Sequence, residues 1–178
     1  MFESPTPSIA EFHAALGIPA GYAASRGLRA MPEPPFWVET GLDREGRPIW
    51  LACEASRAFG RLGDAARQDG IPIVVISAYR SVAHQARLIR RQLERGAPLD
   101  TILTRIAPPG YSEHHTGRAL DLSSTDESEP LTEAFEGTVL FDWLNHSASR
   151  FGFHLSYPRN NRHGFIYEPW HWAYASDT

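Results

Sequence analysis

The longest apolar stretch of the chain, residues 71–78 (IPIVVISA), limits the folds open to it. It is far shorter than the roughly 20 apolar residues that span a bilayer, and it contains a proline and a serine. A short apolar run bounded by turn residues is typical of a strand buried in a protein core. The sequence therefore predicts a buried strand here and no transmembrane segment.

Composition places the chain among globular proteins. It has 178 residues, of which 42% are hydrophobic and 21% charged, the balance of an ordinary folded domain. Cys53 is the single cysteine, so no disulfide can form within the chain. The formal net charge of -4 gives no basic surface for nucleic acid. We expect an irregular N-terminal lead over residues 1–34, followed by a single domain over residues 35–178.

Hydrophobic periodicity divides residues 35–178 into helices and strands. Apolar residues recur at helical spacing in three segments, which are 55–66, 82–93 and 139–148, and a further short helix is expected over 99–106. Runs of β-type residues occupy five other segments, which are 36–40, 48–52, 71–76, 118–122 and 165–174. The first two of these runs flank a loop that contains glycine and aspartate, which predicts a β-hairpin.

Polar residues embedded in the apolar C-terminal half form two clusters. The first is the segment 112–121 (SEHHTGRALD), in which a turn at Gly117 would bring His114 and Asp121 side by side. Neutral imidazole and carboxylate groups are suitable zinc ligands, and three protein ligands with one open position are typical of catalytic zinc. His114, Asp121 and His171 would supply that set.

The second cluster is the segment 168–172 (EPWHW), which contains His171. Glu168 lies three residues before it, and a carboxylate beside a metal ion can act as a general base. Along a regular strand the two side chains would point to opposite faces, whereas a bend at Pro169 would let them converge. A histidine in an aromatic setting is more often a hydrogen-bonded core residue than a ligand. From the residues alone, a metal site and a structural role are equally open.

The same residues resemble the zinc D-alanyl-D-alanine carboxypeptidases of the VanY type. These belong to the D-Ala-D-Ala-metallopeptidase group, which shares its fold with the Hedgehog signalling domain. The family pattern Ser-x-His-x(6)-Asp, with an internal Gly-x-Ala, is matched from Ser112 to Asp121, and Glu-x-x-His is matched by Glu168 and His171. An upstream Tyr-Arg-Ser-x(3)-Gln element is matched by residues 79–85. The resemblance implies an α+β domain in which an antiparallel sheet carries a zinc site and helices pack against the sheet.

The resemblance also implies a role for each matched residue. The residues expected to bind Zn²⁺ are His114, Asp121 and His171. Glu168 is expected to be the catalytic base, and Arg80 is expected to lie over the scissile carbonyl. The expected substrate contacts are Tyr79, Gln85, Ser112 and Trp170, and Ser112 and Gln85 are expected to help hold the terminal carboxylate of the substrate.

Two further histidines lie near these motifs. His115 follows directly on His114, and a register shifted by one residue would make His115 the ligand instead. The spacing to Asp121 favours His114, which leaves His115 beside the site or exposed. His163 is expected to be a bystander.

The resemblance therefore predicts a zinc metallopeptidase that removes the C-terminal D-alanine from peptidoglycan stem peptides or their precursors. The same site would suit an L,D-carboxypeptidase, a D-Ala-D-Ala dipeptidase or a lysin-like endopeptidase, because the depth of the pocket decides which bond is cut. A reading of another class is a non-catalytic cell-wall-binding or signalling domain. The intact Glu168 and Arg80 speak against it, since a domain without activity is free to lose them.

The expected partners are peptidoglycan peptides that end in D-alanine, and neither nucleic acid nor a membrane span is expected. Relatives of this type act in the bacterial envelope or periplasm. The N-terminal sequence MFESPTPSIAEFHAALG shows no secretion signal, so a cytoplasmic location is also open.

Overall fold

The computed structural model describes residues 7–125 and 130–175. Its helices are α1 (Ile9–Leu16), α2 (Tyr22–Ser25), α3 (Cys53–Gln68), α4 (Val82–Glu94), α5 (Leu99–Leu103) and α6 (Val139–Ser147). Its strands are β1 (Val38–Leu42), β2 (Pro48–Leu51), β3 (Val74–Ser77), β4 (Ala119–Ser123), β5 (Phe153–Leu155) and β6 (His171–Tyr174). Short 3-10 helices occupy Glu113–Thr116, Glu133–Gly137 and Ala148–Phe151.

The strands form two antiparallel sheets in the described part of the chain. Strands β1 and β2 make the predicted hairpin, and the remaining four form a sheet in the order β3-β4-β6-β5. Every neighbouring pair in that sheet is antiparallel. The expected α+β architecture, with helices against an antiparallel sheet, is therefore confirmed.

The core lies between the larger sheet, the hairpin and the helices α3 and α6. Its large buried side chains include Leu51, Leu62, Leu120, Leu122 and Leu144. Every residue of β4 is buried, including the charged Asp121. A buried carboxylate requires compensating partners, and this strand carries it into the interior beside the histidines described below.

The N-terminal segment corrects the expectation of an irregular lead, because it contains α1 and α2. Helix α1 begins with a capping box, in which the Glu11 amide donates to Ser8 Oγ and the Ser8 amide donates to Glu11 Oε2. Leu16 of this helix packs with Ile89 of α4 and Leu103 of α5 in a second apolar cluster. The Ser-x-x-Glu pattern was present in the sequence and is a start signal for helices. The division of the chain at residue 35 stays a prediction.

Several element ends differ from expectation. The strand expected over 71–76 begins at Val74, since Pro72 has no amide proton to give to a ladder. The helix expected over 99–106 ends at Leu103. The tail expected to be strand-like over 165–174 is a strand only from His171 onward, and the three-residue β5 was not predicted. No helix in the described residues is both long and apolar enough to span a membrane.

Candidate active site

The register of the larger sheet places three polar residues side by side. Asp121 of β4 pairs with Ser77 of β3 on one side and with His171 of β6 on the other. Directly opposed residues share a face of the sheet, so Asp121 Oδ1 lies 2.9 Å from His171 Nδ1. Two residues that are 50 positions apart in the sequence are thus joined by strand pairing.

His114 reaches the same point through the turn at Gly117. This glycine has φ 63°, in the left-handed region, and a Cβ there would lie 2.8 Å from the backbone nitrogen of Ala52. The turn therefore requires glycine. It brings His114 Nε2 to 3.2 Å from Asp121 Oδ2, as the sequence predicted. The other ring nitrogen, His114 Nδ1, donates to the carbonyl oxygen of Ala78 at 2.7 Å.

The side chains of His114, Asp121 and His171 fit a metal ion. Their ligand atoms all lie within 4.8 Å of one another, and all three residues are buried. Burial lowers the pKa of His114, which favours the neutral form that binds metals. The pKa of Asp121 is also lowered, because the two histidines outweigh the effect of burial. Two nitrogens and a carboxylate oxygen make a donor set typical of catalytic zinc.

Glu168 enters the site from a turn. The amide of His171 donates to the carbonyl of Glu168 at 3.0 Å, so residues 168–171 bend before β6 begins. Of the two arrangements that the sequence left open, the structure shows the bend at Pro169, and Glu168 and His171 line one cavity. Glu168 is 8% exposed, and its carboxylate has no hydrogen-bond partner among the described residues. Burial raises the pKa of Glu168 to about 7, although the charge on His171 opposes the shift.

Arg80 is held at the edge of the cluster. Its guanidinium donates to Gln85 Oε1 at 3.1 Å and to Ser77 Oγ at 2.8 Å, and Nη2 lies 3.6 Å from Asp121 Oδ2. Its backbone amide donates to the carbonyl of His114 at 3.1 Å. The guanidinium is therefore oriented before any substrate arrives.

The four expected substrate contacts fall into two groups. Ser112, Gln85 and Trp170 are buried and line the cavity. The Gln85 amide is already engaged, since it accepts from Arg80 and donates to the carbonyl of Ala107 at 2.7 Å. The Ser112 hydroxyl has no partner within residues 7–125 and 130–175, which leaves it available to a ligand.

Tyr79 is not among the residues that line this cavity. Its hydroxyl donates to Glu33 Oε2 at 2.6 Å, and its ring lies 4.9 Å from the ring of Trp37. This placement gives no support to a substrate contact by Tyr79, because both ends of the side chain are occupied by the N-terminal part of the chain.

The two bystander histidines have structural contacts. His115 is fully buried, its Nδ1 donates to the carbonyl of Arg80 at 2.6 Å, and its Nε2 accepts from the amide of Gly110 at 3.1 Å. It is not exposed, and it fixes the backbone that carries Arg80. His163 Nδ1 lies 3.1 Å from the carbonyl oxygen of Arg26, and His163 does not line the cavity.

Three residues of the site were missed by the sequence analysis. Glu113 Oε2 lies 2.8 Å from His171 Nε2, and the ring of Tyr157 stacks on His171 with 4.7 Å between centroids. Arg105 lines the cavity and is exposed. Glu113 stands next to His114 in the first cluster, and this position was a signal that it could belong to the site. Nothing in the spacing linked Glu113 to His171.

The charged groups around His171 shift one another's pKa values. Burial would raise the pKa of Glu113, but the hydrogen bond and charge of His171 outweigh it and lower that pKa to about 2. Burial would lower the pKa of His171, but the carboxylates of Asp121 and Glu113 outweigh it and raise that pKa to about 10. Burial and the carboxylates of Glu113, Glu168 and Asp121 raise the pKa of Tyr157, so its hydroxyl stays a hydrogen-bond donor. A metal that binds at Nδ1 of His171 must therefore displace a proton.

Comparison with known proteins places this geometry in a family. A family model described as VanY, D-alanyl-D-alanine carboxypeptidase, matches residues 48–177. The putative carboxypeptidase YodJ of Bacillus subtilis (strain 168) is 33% identical over 144 residues, which cover 78% of this chain and 51% of YodJ. The chain thus spans about half the length of this curated relative.

Solved structures share the fold. The LdcB LD-carboxypeptidase superposes with a TM-score of 0.74 at 30% identity, covering 84% of this chain and 73% of LdcB. A variant of the vancomycin resistance D,D-pentapeptidase VanY, solved in complex with Zn(II), superposes with a TM-score of 0.63 at 28% identity, covering 82% and 83% of the two chains. Since the family model matches residues 48–177 and YodJ is 33% identical over 78% of the chain, the chain belongs to the VanY family of D-alanyl-D-alanine carboxypeptidases.

Proposed function

We propose that the protein is a zinc-dependent carboxypeptidase that removes the C-terminal D-alanine from peptidoglycan stem peptides or their precursors. The observation that carries this proposal is the buried triad of His114, Asp121 and His171 beside the unpartnered carboxylate of Glu168 in one cavity. The triad alone would serve a structural metal. The free carboxylate next to it is what a hydrolase requires.

The three triad residues would hold the metal. When bound there, zinc would provide a Lewis acid for the peptide carbonyl and would lower the pKa of a bound water to roughly 7. The donor set supports zinc, and the related VanY variant was solved with Zn(II). Single-cysteine composition is consistent with nitrogen and oxygen ligands.

Glu168 acts as the general base and then as the general acid. Its carboxylate takes a proton from the attacking water and passes it to the amine of the departing D-alanine, so the proton is conserved over the cycle. A pKa of about 7 suits both transfers, because a catalytic group works best when its pKa lies near the operating pH. The bend at Pro169 and the absence of a side-chain partner within the described residues keep the carboxylate free for this exchange.

Arg80 stabilises the oxyanion that develops on the scissile carbonyl. Its charge is permanent, and its planar donors are held by Ser77 and Gln85. A donor fixed in advance does not have to reorganise during the reaction. Ser112 and Tyr157, which line the same cavity, offer hydroxyl groups as further donors for the substrate backbone.

The end of a peptide suits this cavity. Its volume of about 220 Å³ is below the roughly 300–1,000 Å³ of pockets that enclose drug-sized ligands. Arg105 places a positive charge in the lining, and that charge has no ion pair among the described residues. We propose that Arg105 binds the terminal carboxylate of the substrate, which only an exopeptidase substrate presents at the site. A substrate of this chemistry lies in the bacterial envelope, and we propose that the protein acts there.

A second candidate, L,D-carboxypeptidase activity, is favoured by one observation. LdcB, named as an LD-carboxypeptidase, superposes with a higher TM-score than the VanY variant. Both activities would use the same triad and base, and they differ in the stereochemistry of the residue that precedes the cleaved bond.

Defined muropeptides separate these readings. Pentapeptide and tetrapeptide substrates are incubated with the full chain, with and without a chelator, and the products are weighed by mass spectrometry. We expect loss of one D-alanine from the pentapeptide, abolished by chelator and restored by zinc. Loss of D-alanine from the tetrapeptide alone would favour the L,D activity. Binding of cell-wall peptides without any turnover in zinc would contradict both.

A further inference from the structure

Glu113 lies beside the triad without belonging to it. Its Oε2 accepts a hydrogen bond from His171 Nε2 at 2.8 Å. The other ring nitrogen, Nδ1, lies 2.9 Å from Asp121 Oδ1 and so faces the triad. Glu113 therefore contacts the edge of the imidazole that is turned away from the metal position.

We propose that Glu113 is a positioning residue, which holds the His171 ring with a proton on Nε2 and the lone pair of Nδ1 directed at the metal. The proposal rests on the metal centre proposed above. An ionised carboxylate can only accept, so the nitrogen that faces Glu113 must be the donor. Asp121 cannot hold the proton on Nε2, because it contacts Nδ1 and is itself expected to be a metal ligand.

His114 provides an internal comparison. Its outer nitrogen, Nδ1, donates to the backbone carbonyl of Ala78 at 2.7 Å. Its inner nitrogen, Nε2, faces Asp121. Both histidines are thus fixed from outside by one acceptor each, and metal-bound histidines in proteins are generally held in this way. Only the acceptor on His171 is a side chain, so only this one can be removed by substitution.

The position of Glu113 in the chain links it to the site. It begins the 3-10 helix Glu113–Thr116, and the next residue is His114. One short helix therefore carries both the proposed metal ligand His114 and the residue that positions the proposed ligand His171 on β6. The side chain of Glu113 is 22% exposed, and that of His171 is 3% exposed, so water competes weakly for their hydrogen bond.

Zinc affinity of the full chain tests the proposal. Metal-free wild type, Glu113→Ala and Glu113→Gln are titrated with zinc in competition with a chromophoric chelator. We expect roughly 10- to 100-fold weaker binding by Glu113→Ala, the range found when such outer partners are removed. Glu113→Gln should lose less, because its amide oxygen can still accept from Nε2. Glu94→Gln, which removes an exposed carboxylate from α4, is the matched control and should bind zinc as the wild type does.

Two measurements separate positioning from a merely structural role. Thermal unfolding of the metal-free variants reports the fold, and a structural role would lower the melting temperature of Glu113→Ala while leaving the zinc affinity of the folded protein unchanged. Long-range ¹H–¹⁵N spectra of the zinc-loaded wild type should show the His171 proton on Nε2. Wild-type zinc affinity in folded Glu113→Ala, or a proton-free Nε2, would overturn the proposal.

The outcomes also separate this proposal from the proposed function. If the wild type binds zinc and Glu113→Ala binds it weakly, positioning stands even where no D-alanine is released, and only the proposed function fails. If both bind zinc equally and the wild type cleaves muropeptides, only positioning fails. A wild type that binds no zinc overturns both.

Discussion

Asp121 and His171 lie directly opposite each other on β4 and β6, with Oδ1 and Nδ1 2.9 Å apart. The pairing register of two strands therefore sets this distance, and no loop has to close to bring the two groups together. A slip of one residue would turn Asp121 to the other face of the sheet and dismantle the triad. Two of the three candidate metal ligands are therefore placed by strand pairing in the buried sheet.

Replacement of the proposed base tests the chemistry directly. Glu168→Gln keeps the size of the side chain but cannot accept a proton from water. We expect kcat on a D-alanine-terminated pentapeptide to fall by roughly 10²- to 10⁴-fold, the usual contribution of a general base. Zinc content, measured by elemental analysis, should be unchanged because Glu168 is outside the triad. Near wild-type kcat in a zinc-loaded variant would contradict the role, and Glu94→Gln serves as the control.

The raised pKa of Glu168 predicts a dependence on pH. The group is active when ionised, so kcat/KM should be full above its pKa and should fall about tenfold per pH unit below it. The pKa is about 7 without metal, and a bound cation would lower it, so the midpoint is expected below about pH 7. The profile is measured with the zinc-loaded enzyme. The same acidic limb in the residual activity of Glu168→Gln would assign it to another group.

Arg80 should not be replaceable by lysine. Its guanidinium contacts Ser77 and Gln85 through separate nitrogens, and one ammonium group cannot reproduce that fork. We expect Arg80→Ala and Arg80→Lys both to lose roughly 10²-fold or more in kcat. Gln85→Ala should lose less, since the guanidinium would keep its charge and its contact with Ser77. Steady-state kinetics check this order, and equal rates for Arg80→Lys and wild type would contradict it.

Gly117 is predicted to be necessary for stability. Gly117→Ala combines a positive φ with a Cβ placed 2.8 Å from the nitrogen of Ala52. We expect the free energy of unfolding to drop by roughly 1–3 kcal/mol, measured by urea denaturation. Gly60→Ala is the matched control, because it lies inside α3 with open space around it and should stabilise by about 0.4–1 kcal/mol. Equal effects of the two substitutions would contradict this account of the turn.

Spacing in the sequence predicted the local half of the site, whereas for the distant half the residue types named His171 as a candidate ligand and the resemblance was needed to favour it. His114 and Asp121 are separated by one glycine turn, so spacing alone brought them together. His171 joins them through the register of β4 and β6, which periodicity does not determine. Glu113 was missed for the same reason, because it lies in a 3-10 helix and its partner His171 lies 58 residues away on β6.

The elements that could be predicted from the sequence are those in which the apolar periodicity extends over several turns. Helix α3 spans Cys53–Gln68 and α4 spans Val82–Glu94, and both show several turns of one apolar face. Strand β5 has three residues, too few for any alternation to emerge. Helix α1 carried a capping signal, but its eight residues are stabilised by packing against α4, which the sequence does not display.

Arg105 is predicted to recognise the terminal carboxylate of the substrate. It is the cavity residue whose positive charge has no ion pair among the described residues, whereas Arg80 is already paired with Asp121. Because Arg105 is exposed, its charge is screened, and Arg105→Ala should weaken peptide binding by roughly twofold to fivefold. Dissociation constants are measured by calorimetry in the Glu168→Gln background, where cleavage of the peptide is expected to be slow.

The control for this prediction is chemical as well as genetic. A stem peptide with a C-terminal amide lacks the charge that Arg105 would meet, so its affinity should be the same with and without Arg105. Arg90→Ala removes an exposed charge from α4 outside the cavity lining and should affect neither peptide. If Arg105→Ala weakened both peptides equally, Arg105 would contact the peptide elsewhere. The cavity would then have no positive charge assigned to the free carboxylate, which would favour endopeptidase activity over carboxypeptidase activity.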